Sequence, residues 1–533
     1  MKASEEVVRI LSDWDVNHIY GYPGDSVNNL IEEFRKSQSE LKFIQVRHEE
    51  VATLAASAEA KLTGRVGVCV SIGGPGAIHL LNGMYDAKAD SAPLVVITGQ
   101  ISHDLLGTDN FQEVNLERLF DDVAIFNKRV TSGKQLGPLL KQAFREAYEK
   151  KGVSVLTVPD DVFTEKVRKT ELRSEAIPSF HLVPDKHSVQ KAVSLIQQAK
   201  KPVILAGKGG MGARDELLEF AEKIAAPVVV SLRGKGVIPD QHPLCIGNLG
   251  HLGTKPAYKA MQNADLLMLI GTSYPYRDFL PSDAPAIQLD IDSSKIGKWY
   301  PVDAGLVGSA KEVLAGFNEQ LTYKEDRDFL QECQQDMSDW WKQMDEIVSE
   351  SSGNLQGPHV IGTLNDYLDD DAIVSIDVGN VTVWSARYLR LTNQKFIVSS
   401  WLATMGCGLP GAIAGKLNQP DKQVIAICGD GGFSMVMQDF LTAVKYRPPI
   451  TVIILNNEEI AMIKYEQKEM GHSPYQTDIQ DLNYADFAKA SGANGYFVQN
   501  KDELVAALKE CRNNDLPSII DVKIESREPL PGK

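Results

Sequence analysis

The sequence predicts an α/β protein of three doubly wound parallel-sheet domains, and three observations carry that prediction. Short β-branched and apolar runs alternate with longer helical patterns along the whole chain. Two polar, charged stretches, at 163–187 and 323–358, interrupt the alternation. The first and last parts also share one order of elements: helix, strand, glycine turn, helix. Residues 60–64 lead into 66–71 and Gly73-Gly74-Pro75-Gly76, and residues 415–418 lead into 424–428 and Gly429-Asp430-Gly431-Gly432.

The expected strands are 43–46, 66–71, 94–98, 153–158, 203–206, 228–231, 266–270, 286–290, 373–376, 424–428, 451–455 and 518–522. Most end in Gly, Pro, Asp or Asn, as strands feeding a turn do. Their near-continuous apolar character is that of parallel strands buried on both faces. The polar stretches, which include Pro178, Pro184 and Ser351-Ser352-Gly353, read as linkers. They divide the chain into domains at 1–180, 185–345 and 355–533, each of ordinary domain size. Any βα unit with a glycine turn gives the shared order of elements, so it supports a pairing of the outer domains and nothing more.

Composition excludes several classes. The chain is 43% hydrophobic and 24% charged, as globular domains are, with a net charge of -16. That charge argues against nucleic acid as a partner and against electrostatic docking on anionic lipid. No basic segment precedes an apolar one at the N-terminus, so no signal peptide is expected. Apolar stretches such as 264–270 fall far short of the ~18 residues of a membrane span. The cysteines Cys69, Cys245, Cys333, Cys407, Cys428 and Cys511 form no CxxC pair and read as reduced core thiols. The expected location is cytoplasmic.

The chemistry begins at Gly429-Asp430-Gly431-Gly432, between a strand and a helix. Glycines admit close backbone approach, and a helix N-terminus favours an anion. Alone, Asp430 reads equally as a helix N-cap. Asn456-Asn457 closes the next strand, and neighbouring parallel strands end at the same sheet edge, so Asp430 and Asn457 converge. A carboxylate, an amide oxygen and a diphosphate suit Mg2+. In Arg47-His48-Glu49-Glu50, Glu49 reads by itself as an exposed glutamate at a helix start. In the middle part, Gly207-Lys208-Gly209-Gly210 follows a strand but is not a full dinucleotide fingerprint. Asp290 and Asp292 follow another strand, and read as ribose ligands or as turn aspartates.

The GDG turn followed by the Asn pair resembles the signature of thiamine-diphosphate (ThDP) enzymes. The resemblance covers essentially the whole chain and is closest to bacterial pyruvate oxidases, the pyruvate:quinone oxidoreductases in particular. Gly21-Tyr22-Pro23-Gly24-Asp25-Ser26, Leu81-Asn82-Gly83-Met84-Tyr85-Asp86-Ala87 and Asp377-Val378-Gly379-Asn380-Val381-Thr382-Val383-Trp384 carry it. It implies three domains of that family's kind: pyrimidine-binding, FAD-binding and diphosphate-binding. It implies Mg2+ on Asp430, Asn457 and the Glu459 carbonyl, with Gly431 and Gly432 beside the cofactor and Gly379-Asn380 lining its cradle. Glu49 would face the aminopyrimidine, where a desolvated carboxylate can share a proton with a ring nitrogen. Ala403, Thr404 and Met405 resemble the segment that bends ThDP, with Met405 as prop or as ordinary core.

For FAD, the resemblance points to Thr272, Ser273, Tyr274, Pro275 and Tyr276, to Leu249, Gly250, His251 and Leu252, and to Asp290; the glycine turn after the strand adds Gly207. Glu466 stands where acetolactate synthases place a tryptophan and pyruvate oxidases a glutamate. Phe111 and Gln112 match a pocket segment of both subfamilies, and His79 is a further candidate. The implied reaction is oxidative decarboxylation of pyruvate to CO2 and acetate or acetyl phosphate, with electrons passing to FAD and then to quinone or oxygen. The alternative is an acetolactate synthase-type carboligase with non-redox FAD. A non-catalytic ThDP-fold protein would be expected to lack Glu49, Asp430 or Asn457. The family shares each site between subunits, so a homodimer or homotetramer is implied. Its quinone-reducing members extend further at the C-terminus into a lipid-binding segment. Here 523–533 contains Pro529 and Pro531 and cannot form a long amphipathic helix. Membrane contact is expected to be peripheral at most, on the inner face of the cell membrane in a longer native form.

Overall fold

The computed structural model describes residues 1–168, 182–350 and 354–529. Parts of both expected linkers, and the last four residues, lie outside the described residues. Three parallel sheets of six strands each form the architecture.

The first sheet holds β1 (His18–Gly21), β2 (Lys42–Gln45), β3 (Gly67–Ser71), β4 (Leu94–Gln100), β5 (Ala124–Arg129) and β6 (Val153–Pro159). The second holds β7 (Pro202–Ala206), β8 (Val228–Val230), β9 (Cys245–Asn248), β10 (Leu266–Ile270), β11 (Ala286–Asp290) and β12 (Ala304–Val307). The third holds β13 (Ile373–Ile376), β14 (Lys395–Ile397), β15 (Val424–Gly429), β16 (Thr451–Asn456), β17 (Asn494–Val498) and β18 (Ser518–Lys523).

The first sheet runs β2-β1-β3-β4-β6-β5 and the third β14-β13-β15-β16-β18-β17. With strands counted from one in each domain, these are the same order. The similarity between the two ends of the sequence is therefore a shared topology. The middle sheet runs β12-β11-β10-β7-β8-β9, the strand order of dinucleotide-binding doubly wound sheets.

Every expected strand is present within two residues of its expected ends. The strands not foreseen are β1, β5, β9, β12, β14 and β17, and all but β1 lie at sheet edges. These edge strands are short or only partly apolar, so they lack the continuous apolar run. The strand β17, for example, is only partly buried over most of its length. The interior strand β1 escapes because His-Ile-Tyr-Gly is half polar, although all four residues are buried.

The outer domains pack on each other through the helices Glu49–Thr63 and Gly408–Asn418. Small residues allow this approach: a Cβ on Gly411 would lie 3.8 Å from that of Ala58. One continuous core contains Ala55 and Ala58 from the first helix and Ala412 and Ile413 from the second. Among the described residues, no helix is long and apolar enough to cross a membrane.

Candidate active site

The strands β13, β15 and β16 are neighbours in the third sheet, paired Ile376 with Ile427 and Gly429 with Leu455. Their carboxyl ends therefore deliver Asp377, Asp430 and Asn457 to one edge. This is also the topological switch point, where such sheets bind ligands. Asp430 opens the helix Asp430–Val436. Its Oδ1 accepts from the Gly431 N–H at 2.9 Å and its Oδ2 from the Glu458 N–H at 2.7 Å. Burial pushes its carboxyl up to about 6, against those two backbone bonds that favour the anion. A cation at this edge would restore the charged form.

The two asparagines divide their work. Asn456 is buried, and its amide donates to Asp521. Asn457 donates Nδ2 to Ser526 Oγ at 2.8 Å, which leaves its Oδ1 as a donor for a cation. The Glu459 side chain is tied to Lys464 and Ser526, so its backbone carbonyl is the group left for a metal.

Above this edge lies the turn 403–408. Ala403 has φ 56° and Gly406 φ 86°, both left-handed. Asp377 holds the turn: its carboxylate accepts from the N–H groups of Gly406 at 2.9 Å and Gly408 at 3.3 Å. Burial raises that carboxyl to about 6. The turn sets Met405 over the GDG segment, its Cε 3.3 Å from where a Cβ on Gly431 would lie. A Cβ on Gly432 would lie 2.7 Å from the Asp377 carboxylate, so glycine is required there. Gly379 has φ 126° and open space where a Cβ would be, and the buried Nδ2 of Asn380 has no hydrogen-bond partner. A carboxylate and an amide oxygen for a cation, beside an unused N–H donor for an anion, suit a magnesium diphosphate.

In the first domain, Glu49 starts its helix and is 9% exposed. Its Oε2 lies 3.0 Å from Nδ1 of His79, whose ring stacks on that of His48 at 4.4 Å. A Cβ on Gly76 would lie 2.9 Å from Glu49 Oε1, so the 73–76 turn walls in the carboxylate. The backbone of Gln112, at φ 60°, packs on the same turn against Gly74. The structure thus gathers Glu49, His79 and Gln112. It does not gather Phe111, which is 78% exposed, or Glu466, which faces solvent on the helix Ala461–Glu469.

Links between the outer domains reach this edge as well. Asn82 donates to Thr404 Oγ1 at 2.8 Å, and Asp439 Oδ1 accepts from the Arg47 N–H at 2.7 Å.

In the middle domain the strand ends bring Gly207, Leu249, Thr272 and Asp290 to one edge. A Cβ on Gly207 would lie 2.6 Å from the Gly271 carbonyl oxygen, and one on Gly250 2.6 Å from Tyr274 Oη. That Tyr274 hydroxyl is buried without a partner, and His251 stands edge-on to Tyr276 at 5.5 Å. Leu252 belongs to the same loop, which Arg387 of the third domain grips. Its guanidinium donates to the carbonyls of Gly253 at 2.9 Å and of His251 and Leu252 at 3.3 Å. Ser273 and Pro275 are half-buried in the segment after β10, and Asp290 accepts from the Asp292 N–H.

Asp377, His48, Asp439 and Arg387 were not singled out from the sequence. Asp377 had a usable signal, an acidic residue directly after a buried strand, and His48 had its place beside Glu49 at a helix start; Asp439 and Arg387 act through distant partners.

Three family models match in chain order: the thiamine pyrophosphate enzyme N-terminal TPP binding domain over 1–119, the central domain over 189–317 and the C-terminal TPP binding domain over 377–522. The chain belongs to the thiamine-diphosphate enzyme family. It is 54% identical over 533 residues to "Putative thiamine pyrophosphate-containing protein YdaP" of Bacillus subtilis, covering all of this chain and 93% of that one. It is 31% identical over 545 residues to a pyruvate oxidase of Lactiplantibacillus plantarum, covering all of this chain and 90% of the relative. It is 33% identical over 547 residues to the acetolactate synthase large subunit of Corynebacterium glutamicum, covering 98% of this chain and 86% of the relative. The family and the site make it a ThDP-dependent enzyme acting on a small 2-oxo acid. The expected nearness to pyruvate:quinone oxidoreductases in particular is not reflected in these three: one name states only the cofactor, one is an oxidase and one a synthase.

Proposed function

We propose that this enzyme decarboxylates pyruvate oxidatively to CO2 and acetate or acetyl phosphate, passing electrons to FAD and on to quinone or oxygen. The observation that carries the oxidase reading is Glu466, on the helix that follows the Asn457 turn, where the resemblance gives synthases a tryptophan. The dinucleotide-type strand order of the middle sheet supports a flavin, as does the unpartnered Tyr274 hydroxyl beside Gly250.

When bound, ThDP supplies the nucleophilic carbon and the electron sink for loss of CO2. The protein does the rest. Asp430, Asn457 and the Glu459 carbonyl would hold Mg2+, with the N–H groups that open the Asp430–Val436 helix available to a diphosphate. Met405, whose turn Asp377 holds, would prop the cofactor. Glu49, whose carboxylate His79 orients, would share a proton with the aminopyrimidine. Gln112 and Glu466 position the keto acid.

The exposed apolar side chains Tyr22, Ile78 and Phe111 on the first domain, and Trp401, Met435 and Ile463 on the third, support burial of these edges against a second copy. A homodimer or homotetramer would bring Phe111 and Glu466 out of solvent.

The acetolactate synthase reading remains the second, because relatives with that name match as much of the chain. Product analysis separates the two. The oxidase reading expects acetate or acetyl phosphate from pyruvate only when a quinone, a dye or oxygen is supplied. Acetolactate as the main product, independent of any acceptor, would replace it.

A further inference from the structure

The cluster His48, Glu49 and His79 has a second chemistry. One ligand atom from each residue lies within 4.8 Å of those of the other two. Two imidazoles and one carboxylate form a donor set for Zn2+ and similar borderline ions; Mg2+ prefers oxygen. This set lies in the first domain, apart from the Asp430 and Asn457 oxygens of the third.

The geometry is close to what a metal needs. Zinc bonds to nitrogen and carboxylate oxygen of about 2.0–2.2 Å set tetrahedral ligand atoms about 3.3 Å apart. Nδ1 of His79 and Oε2 of Glu49 are 3.0 Å apart, so a few tenths of an ångström admit the ion. The His48 ring is stacked on His79 and its Nδ1 accepts from the Glu50 N–H, so ligation by both imidazoles requires the two rings to unstack and turn toward Glu49. In a single chain the His79 and His48 side chains are 43% and 36% exposed, so an ion reaches them and keeps an open coordination position only where a second copy leaves this edge uncovered.

We propose that His48, Glu49 and His79 form an inhibitory site for Zn2+-type ions, filled only when Glu49 is not engaged with ThDP. A carboxylate bound to zinc cannot also share a proton with the aminopyrimidine. Zinc and productive cofactor are therefore mutually exclusive. This exclusion rests on the reading of Glu49 given above; the metal site itself does not.

The test titrates Zn2+ into the full-length, ThDP-free protein with Mg2+ in excess, followed by calorimetry, with Co2+ absorbance as a second probe of ligand geometry. The expected result is one ion per chain. His48→Gln and His79→Gln should each weaken binding by about 100-fold or more, beyond what loss of an outer partner costs. Both positions are partly exposed, and melting curves check that each variant is folded. In a second arm, ThDP is added to the zinc-loaded protein and should release the zinc. No stoichiometric binding, or binding equal to wild type in both folded variants, would overturn the metal site. Zinc that depends on both histidines but stays bound under saturating ThDP would overturn the exclusion. Failure of the Glu49 reading shows differently, as full turnover in Glu49→Gln without zinc.

Discussion

Replacing Glu49 by Gln removes a carboxylate and keeps its shape. The side chain is buried, with Oε2 3.0 Å from Nδ1 of His79 and the Gly76 turn closed over Oε1. A Gln carbonyl can still accept from His79, so the change to stability should be at most about the worth of one hydrogen bond, ~1 kcal/mol. What disappears is the ability to hold a proton. A positioned acid or base contributes roughly 100- to 10,000-fold to rate, or about 3–5.5 kcal/mol of barrier. Steady-state oxidation of pyruvate with a dye acceptor should therefore fall by at least about 100-fold. ThDP binding, followed by quenching of protein fluorescence, should change by less than about 10-fold, since one hydrogen bond is worth ~1 kcal/mol. A folded variant that keeps half its turnover would refute the role given to Glu49.

Three further outcomes are expected. Asp430→Ala should lose Mg2+-dependent ThDP affinity by at least about 100-fold, more than an outer-shell partner is worth, and an unchanged titration would remove Asp430 from the metal site. Asp439 is a buried carboxyl raised to about 6, so its protonated form suits the fold. Its contribution is complete below its ordinary value and fades as pH rises through about 6. The melting temperature of Asp439→Asn should therefore gain on wild type from pH 4 to 7, by at most about 3 kcal/mol of stability, and then level off; a constant gap would contradict this. Glu466→Trp should not make an efficient acetolactate synthase, because the Phe111-Gln112 segment and the strand-end loops are unchanged; synthase turnover matching the native oxidase rate would show that one residue decides the reaction.

What the sequence revealed follows from what is local along the chain. Interior parallel strands are buried on both faces and stand out as apolar runs; the edge strands β5, β9, β12, β14 and β17 do not. The GDG turn and the Asn pair were legible because adjacent parallel strands carry their ends to the same edge. The distinct duties of the two asparagines were not, because Asn456 finds Asp521 on a strand reached only after the rest of the domain. Likewise, the turn that presents Met405 is held by Asp377, and the loop with His251 by Arg387. Such contacts join residues far apart in sequence, and no spacing rule exposes them. Glu466 and Phe111 were singled out by resemblance, yet a single chain leaves both facing solvent.

The most direct measurement is the absorbance spectrum of the full-length protein, loaded with FAD, ThDP and Mg2+, when pyruvate is added without oxygen or any other acceptor. The flavin should bleach in step with release of one CO2 per site, and return to its oxidised spectrum when quinone is admitted. A flavin that stays oxidised while pyruvate is consumed and acetolactate accumulates would contradict oxidative decarboxylation.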